Sequence, residues 1–264
     1  MIGFIGGGNM AEALIKGLLA GGMDNICVYE PQVSRREYLI KKYPSIKLID
    51  SNVELVSMVK IVVLAVKPQV IPAVLDELMT VDLSNKTVVS IAAGIKLEFL
   101  KGRLGIKKIV RVMPNTPALV LEGMSVISVL EDFDGDMEGV QNIFSSIGKV
   151  LFMDEKSMDM VTALSGSGPA FIAYVVKAMV ELAIKEGMDE GTAKVLVLQT
   201  LMGTAKLLDS GFVSDAQALI KMVASPGGTT EAGLGVLDNN AVADIIGETI
   251  LEAARRSQEL SIQK

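Results

Sequence analysis

Met1-Ile2-Gly3-Phe4-Ile5-Gly6-Gly7-Gly8-Asn9-Met10-Ala11 opens the chain. The first five residues read as a short buried strand, and the next six fit G-x-G-x-x-A, the turn that carries a strand into a helix around a dinucleotide. Gly6 permits the turn, Gly8 lets the backbone approach a pyrophosphate, and Ala11 lets helix and strand pack closely. A helical face follows with Met10, Leu14, Leu18 and Leu19, ending at Gly21-Gly22. Residues 25–29 form a second strand, closed by Glu30-Pro31. Glycines alone are a weak signal. Strand, turn, helix, strand and terminal acid in one run make a dinucleotide-binding unit.

Glu30 bears on which dinucleotide. A carboxylate ending the second strand accepts hydrogen bonds from a ribose 2′-hydroxyl, which favours NAD, and repels the 2′-phosphate of NADP. Arg35 and Arg36 follow closely and would offset that repulsion. The alternative is a solvated acid at a strand end.

Strand and helix patterns then alternate. Residues 34–42, 52–58, 70–79, 98–102 and 136–146 read as helices. Residues 46–49, 61–66, 87–92, 108–113, 125–130 and 149–152 read as strands. The run 61–66 has no polar residue, as in a buried parallel sheet. The expected architecture is an α/β Rossmann-type doubly wound sheet over residues 1–154. Ligands of such sheets bind beyond the carboxyl ends of the strands. Those ends carry residues 6–11, Glu30, Lys67-Pro68, Ala92-Ala93 and Asn115-Thr116.

After about residue 154 no strand pattern remains, and residues 155–264 read as an all-α domain. Residues 158–164, 171–185, 192–208, 216–224 and 242–259 are helical. The second and third are apolar on most faces, with Phe171, Ile172, Tyr174, Val175, Met179, Val180 and Leu182 in one and Val195 to Leu198, Leu201 and Met202 in the other. Helices apolar nearly all round must be buried on several sides, and about 110 residues do not easily bury two of them. A homo-oligomer joined through these helices is expected. The alternative is a monomer with both helices sandwiched inside it.

Composition narrows the chemistry. Half of the 264 residues are hydrophobic, the net charge is −6, and there is no His. Imidazole bases, Ser-His triads and most zinc sites are excluded, and no metal site is expected. No basic, aromatic-interleaved cluster suits nucleic acid. Cys27 is the only cysteine and lies in an apolar run, as expected of a packed thiol in a reducing, cytoplasmic compartment. The start lacks a signal-peptide pattern, and the longest uncharged stretch, 161–176, falls short of a membrane span of roughly 18 residues.

Ser225-Pro226-Gly227-Gly228-Thr229-Thr230-Glu231 lies between two helices. Pro226 stops the first, the glycines free the backbone, and Thr229 and Thr230 are good caps for the second. Unpaired amides at such a helix start suit a small carboxylate with a hydroxyl beside it. An ordinary helix break with a capping Thr is the alternative.

Taken together, these segments resemble the pyrroline-5-carboxylate reductases. The resemblance rests on residues 6–11, on Ala65-Val66-Lys67-Pro68 and on Arg111-Val112-Met113-Pro114-Asn115-Thr116-Pro117. It extends through Thr162-Ala163-Leu164-Ser165-Gly166-Ser167-Gly168-Pro169-Ala170 to Ser225-Pro226-Gly227-Gly228-Thr229-Thr230. These motifs span nearly the whole chain, and the last two are specific. The resemblance implies reduction of the C=N bond of 1-pyrroline-5-carboxylate to L-proline by NADPH or NADH, the last step of proline biosynthesis. It implies cofactor contacts from Gly6, Gly7, Gly8, Asn9, Met10, Ala11, Asn52, Ala65, Val66, Lys67, Pro68, Ala92 and Ala93, besides Glu30. It further implies substrate contacts from Gly228, Thr229 and Thr230, with the Thr230 hydroxyl at the ring nitrogen as the catalytic group. Dimers through interlaced C-terminal helices, often assembled into rings of dimers, are implied as well.

Three positions depart from the family pattern: Glu30 at the cofactor, and Ala216 and Ile220 in the helix before the loop, where Pro and a basic residue are usual. A cyclic imine suits a chain without His. Its nitrogen arrives protonated, so the protein supplies orientation, anion binding and one hydroxyl. Ser165 and Ser167 have two readings, as ligand contacts or as small residues for close packing, and packing with some ligand contact is expected. Lys67 fits cofactor contact or surface charge better than an acid's role. A β-hydroxyacid dehydrogenase, with Lys177 as its catalytic residue, or another imine reductase is the rival enzyme. A dinucleotide-sensing scaffold is the rival outside enzymes.

Overall fold

Residues 1–262 are described by a computed structural model of the chain. The order is β1 (Ile2–Ile5), α1 (Asn9–Ala20), β2 (Ile26–Tyr29), α2 (Val33–Lys42), β3 (Lys47–Leu48), α3 (Asn52–Met58), β4 (Ile61–Leu64) and α4 (Ile71–Leu78). It continues with β5 (Thr87–Ser90), α5 (Leu97–Leu104), β6 (Ile109–Pro114), β7 (Gly123–Val129), α6 (Met137–Ser145) and β8 (Gly148–Phe152). The rest is helical: α7 (Met158–Val161), α8 (Gly168–Lys185), α9 (Glu190–Asp209), α10 (Ala216–Val223), α11 (Thr229–Asn239) and α12 (Val242–Ile262).

The strands form one sheet in the order β3-β2-β1-β4-β5-β6-β7-β8. All neighbours are parallel except β6 with β7. The chain leaves β1 toward β2 and later returns to pair β4 on its other side, so the strand order reverses at β1. That is where an open α/β sheet offers a crevice for a ligand. Alternate residues of a strand face opposite ways. Phe4 therefore enters the core on one face with Leu14, Ile143 and Phe144, while Ile5 joins Leu55, Leu75 and Leu100 on the other. Each large side chain buried this way contributes about 1.5–3 kcal/mol. Gly17 lets α1 approach the end of α6, since a Cβ there would stand 2.5 Å from the Ser146 carbonyl oxygen.

Two compact units result, residues 1–169 with 251–262 and residues 170–250. In the first, the tail of α12 returns to α7, where Ser257 donates to Asp159 Oδ1 at 2.6 Å. In the second, Tyr174, Leu182, Val195, Leu196, Met202 and Val236 are all exposed, Tyr174 by 74 % and Val195 by 67 %. Within one subunit, the helices expected to be buried are therefore not, as the expectation of a partner requires.

Candidate functional site

In the first unit the site is built at the carboxyl edge of the sheet. Ile5 stands level with Tyr29 and Leu64, and Leu64 with Ser90. The residues that follow these strands thus share one edge. Gly6 takes φ +98°, and a Cβ there would meet the Ala65 carbonyl oxygen at 2.7 Å; at Gly7 it would meet Leu39 Cδ1 at 2.6 Å. At Gly8 it would meet nothing within 4 Å. The turn is packed behind and open in front. Gly8 is the N-cap of α1 and no side chain bonds that cap. The first amides of α1 have no helical partner, and with the helix dipole they suit a pyrophosphate. Ala11 is fully buried against the sheet.

Glu30 is not a solvated acid. It is buried, its Oε2 accepts from Gly7 N at 2.8 Å, and its Oε1 accepts from Gln32 N at 2.9 Å. Asn52, the first residue of α3, donates to Glu77 Oε2 at 2.9 Å, while its own Oδ1 is buried with no partner. A buried acceptor left open beside the crevice fits a donor on a bound dinucleotide. Lys67 is exposed and caps the 3₁₀ turn Pro68–Val70 after β4. Ala65 and Ala93 are half-buried, and Ala92 is buried beyond β5. The donor set and the cradle fit a nicotinamide dinucleotide.

A second constellation went unseen in the sequence. Glu12, in the first turn of α1, takes Arg35 Nη2 at 2.5 Å, Lys42 Nζ at 2.8 Å, the Tyr38 hydroxyl at 3.0 Å and the Tyr43 hydroxyl at 3.2 Å. Burial alone would raise its pKa. The hydrogen bonds from Lys42, Arg35 and Tyr38 outweigh burial and hold it at about 2. Burial, aided by Glu12, pushes the Tyr43 phenol up.

Asn115 follows β6 at the same edge. Its Oδ1 accepts from Met124 N at 2.8 Å, and its Nδ2 donates to Ser165 O at 3.2 Å and Ser165 Oγ at 3.3 Å. Ser165 lies in a π-helical turn, Thr162–Gly166, which replaces α-helix over the last residues of the helix expected at 158–164. Such turns often mark functional positions. A Cβ on Gly166 would stand 2.5 Å from Met113 Cε, so close packing explains the small residues here. The Ser165 hydroxyl accepts from Asn115 and keeps its hydrogen to donate. The Arg111–Glu155 pair, at 2.8 Å with Arg111 buried, ties the start of the helical segment to β6.

The loop 225–231 belongs to the second unit. Gly227 takes φ +70°, its amide donates to Glu231 Oε2 at 2.6 Å, and Gly228 N donates to Ser225 O at 2.9 Å. The N-cap of α11 is Gly228, with no side-chain bond. The expectation that Thr229 and Thr230 cap the helix is therefore corrected: they are its first two residues. Glycine reaches the extended cap conformation easily, which leaves both Thr hydroxyls free of capping. Because Gly228's amide closes the turn, the open donors are the amides of Thr229, Thr230 and Glu231. Thr230 is half-buried and borders a cavity of about 540 Å³ walled by Leu207, Leu219, Ile220, Val223 and Leu234. Ala216 also lines it, so two of the departures from the family pattern shape this cavity.

Lys177 is exposed and lies 3.7 Å from Glu181 one turn on, as an ordinary surface pair does. Cys27 is fully buried, and burial pushes its thiol up. Among the described residues no cluster of three potential metal ligands occurs.

Two family models match the chain: pyrroline-5-carboxylate reductase dimerisation over residues 155–260, and NADP oxidoreductase, coenzyme F420-dependent, over residues 1–94. The chain is 39 % identical to a pyrroline-5-carboxylate reductase of Synechocystis, covering 98 % of this chain and 97 % of that one. It is 36 % identical to the Arabidopsis thaliana enzyme of the same name, covering 98 % and 95 %. A Coxiella burnetii pyrroline-5-carboxylate reductase superposes with a TM-score of 0.89 at 35 % identity, covering 98 % of each chain. A Plasmodium falciparum pyrroline carboxylate reductase with NADP bound superposes with 0.88 at 32 % identity, covering 98 % and 97 %. The helical run Glu155–Lys185 is long and apolar enough to cross a membrane by length and composition alone. The same run falls within the dimerisation match, which accounts for its exposed apolar side chains.

Proposed function

The chain belongs to the pyrroline-5-carboxylate reductase family and reduces 1-pyrroline-5-carboxylate to L-proline with a reduced nicotinamide cofactor; from that premise we propose which residues do what. Residues 1–154 hold the cofactor and residues 155–264 supply self-association and substrate binding. Gly6 to Ala11 take the pyrophosphate on the open start of α1. Glu30 and Asn52 accept hydrogen bonds, and Ala65 to Pro68 with Ala92-Ala93 leave room along the sheet edge. The cofactor supplies the hydride.

The substrate half of the proposal is carried by one observation: the α11 start offers the Thr229 and Thr230 amides, uncapped, beside a mostly apolar cavity that Thr230 enters. The amides take the substrate carboxylate and the cavity takes the ring. Gly228 contributes its backbone geometry, while its amide stays in the turn. The Thr230 hydroxyl meets the ring nitrogen. The iminium form is the better hydride acceptor, so the hydroxyl has to orient and retain a proton more than to deliver one. Ser165, polarised by Asn115, donates its remaining hydrogen to the ligand. Assembly of dimers into a ring and residence in the cytoplasm complete the proposal, and the mass of the particle in solution tests the former.

The decisive assay follows the absorbance of the reduced nicotinamide while the protein is mixed with 1-pyrroline-5-carboxylate, and in parallel with 3-hydroxy acids and NAD(P). Turnover with the imine alone is expected. Turnover with the hydroxy acids alone would assign the chain's chemistry to the rival dehydrogenase.

A further inference from the structure

We infer that this chain favours the dinucleotide without a 2′-phosphate, with Glu30 reading the ribose hydroxyls and Glu12 keeping Arg35 from serving a phosphate instead. The inference rests on the reading that the glycine turn holds a nicotinamide dinucleotide, and it goes further by choosing between the two forms.

The observations are local. Two amides fix the Glu30 carboxylate beside the turn, so it cannot rotate away from a ligand lying there. Each of its oxygens still has a lone pair for a hydroxyl. A 2′-phosphate would bring a second anion against it. Like charges in contact repel, and several-fold more strongly near a protein surface than in water.

The residues placed to relieve that repulsion are committed. Arg35 donates through Nε to Gly7 O at 2.6 Å and through Nη2 to Glu12 at 2.5 Å, and it lies 4.8 Å over the Tyr38 ring. Lys42 is drawn to the same Glu12 oxygen as the two tyrosines. Glu12 stays ionised throughout the physiological range. Arg36 pairs with Asp50 at 2.7 Å. That pair is solvent-exposed and therefore weak, which makes Arg36 the group to challenge directly.

The test is equilibrium binding of NADH and of NADPH to the full chain, read from the fluorescence of the reduced nicotinamide; the chain has no Trp to interfere. NADH is expected to bind at least about tenfold more tightly. Glu30→Ser should close or reverse the gap. Glu12→Gln should strengthen NADPH binding alone. Arg35→Ala and Arg36→Ala should move both affinities together and leave the ratio unchanged. If Glu12→Gln does not fold, the Glu30 and arginine variants decide the matter. Equal or tighter binding of NADPH by the unmodified chain overturns the inference, as does a loss confined to NADPH in either arginine variant. Failure to bind either form would overturn the dinucleotide reading itself, a different result from the other two.

Discussion

The β1–α1 turn and the α10–α11 loop are two versions of one device. Each has a glycine with positive φ, Gly6 in one and Gly227 in the other, and each starts a helix on a glycine cap that no side chain bonds. Their surroundings differ. Gly6 and Gly7 are walled by Ala65, Val66, Leu39 and Glu30, whereas a Cβ on Gly227 would meet nothing within 4 Å. The first turn is shaped by a sheet edge packed around it. The second is shaped by its own short bonds, Gly227 to Glu231 and Gly228 to Ser225. A glycine-capped helix start can thus be held rigid from outside or from within, and the two should fail differently.

Gly6→Val should break the comparison most severely. It adds atoms 2.7 Å from a backbone oxygen at a φ that side chains rarely adopt. A cost of at least about 2–3 kcal/mol, or roughly 30- to 150-fold in cofactor affinity, is expected, measurable by nicotinamide fluorescence. Next comes the Glu12 brace behind the first turn. Its pKa falls from 4.5 to about 2 on folding. A depressed carboxyl stabilises the fold above its unfolded pKa, and that stabilisation is lost as pH drops from about 4.5 to 2. The loss is about 2–3 kcal/mol. Denaturant unfolding at a series of pH values should show this acid slope in the unmodified chain and a shallower one in Glu12→Gln.

Gly227→Ala probes the self-supported loop. With open space around the Cβ, only the backbone conformation is strained, by about 1 kcal/mol. KM for the imine should rise about fivefold while cofactor affinity is unchanged. Lys177→Ala sets the floor: kcat should stay within about twofold, because an exposed one-turn ion pair contributes about 0.3–0.5 kcal/mol. A large loss there would return the chain to the hydroxyacid dehydrogenase reading.

The sequence carried the sheet well because strand and helix periods are local. Phe4 and Ile5 point to opposite cores through simple alternation, and the glycine turn announces its own geometry. The braces were not legible. Glu12 looks like any polar residue on a helix, and its partners lie 23 to 31 residues away on and after α2. Asn115 and Ser165 are 50 residues apart. Only the folded sheet edge brings such pairs together. The cap of α11 was misread because Thr is a good cap in isolation, while Gly228 fits the extended cap conformation after a left-handed Gly227. The apolar helices α8 and α9 were legible as needing a partner, since apolarity on most faces leaves a single subunit nothing to cover them with.

Steady-state kinetics of Thr230→Ala with 1-pyrroline-5-carboxylate, at saturating reduced cofactor, test the central claim most directly. Thr230 is half-buried and bears no capping role, so the fold should persist. A fall of about tenfold or more in kcat/KM, at least ~1.4 kcal/mol of transition-state stabilisation, is predicted, with Thr230→Ser recovering most of it. An unchanged kcat/KM in a folded Thr230→Ala protein would contradict the account.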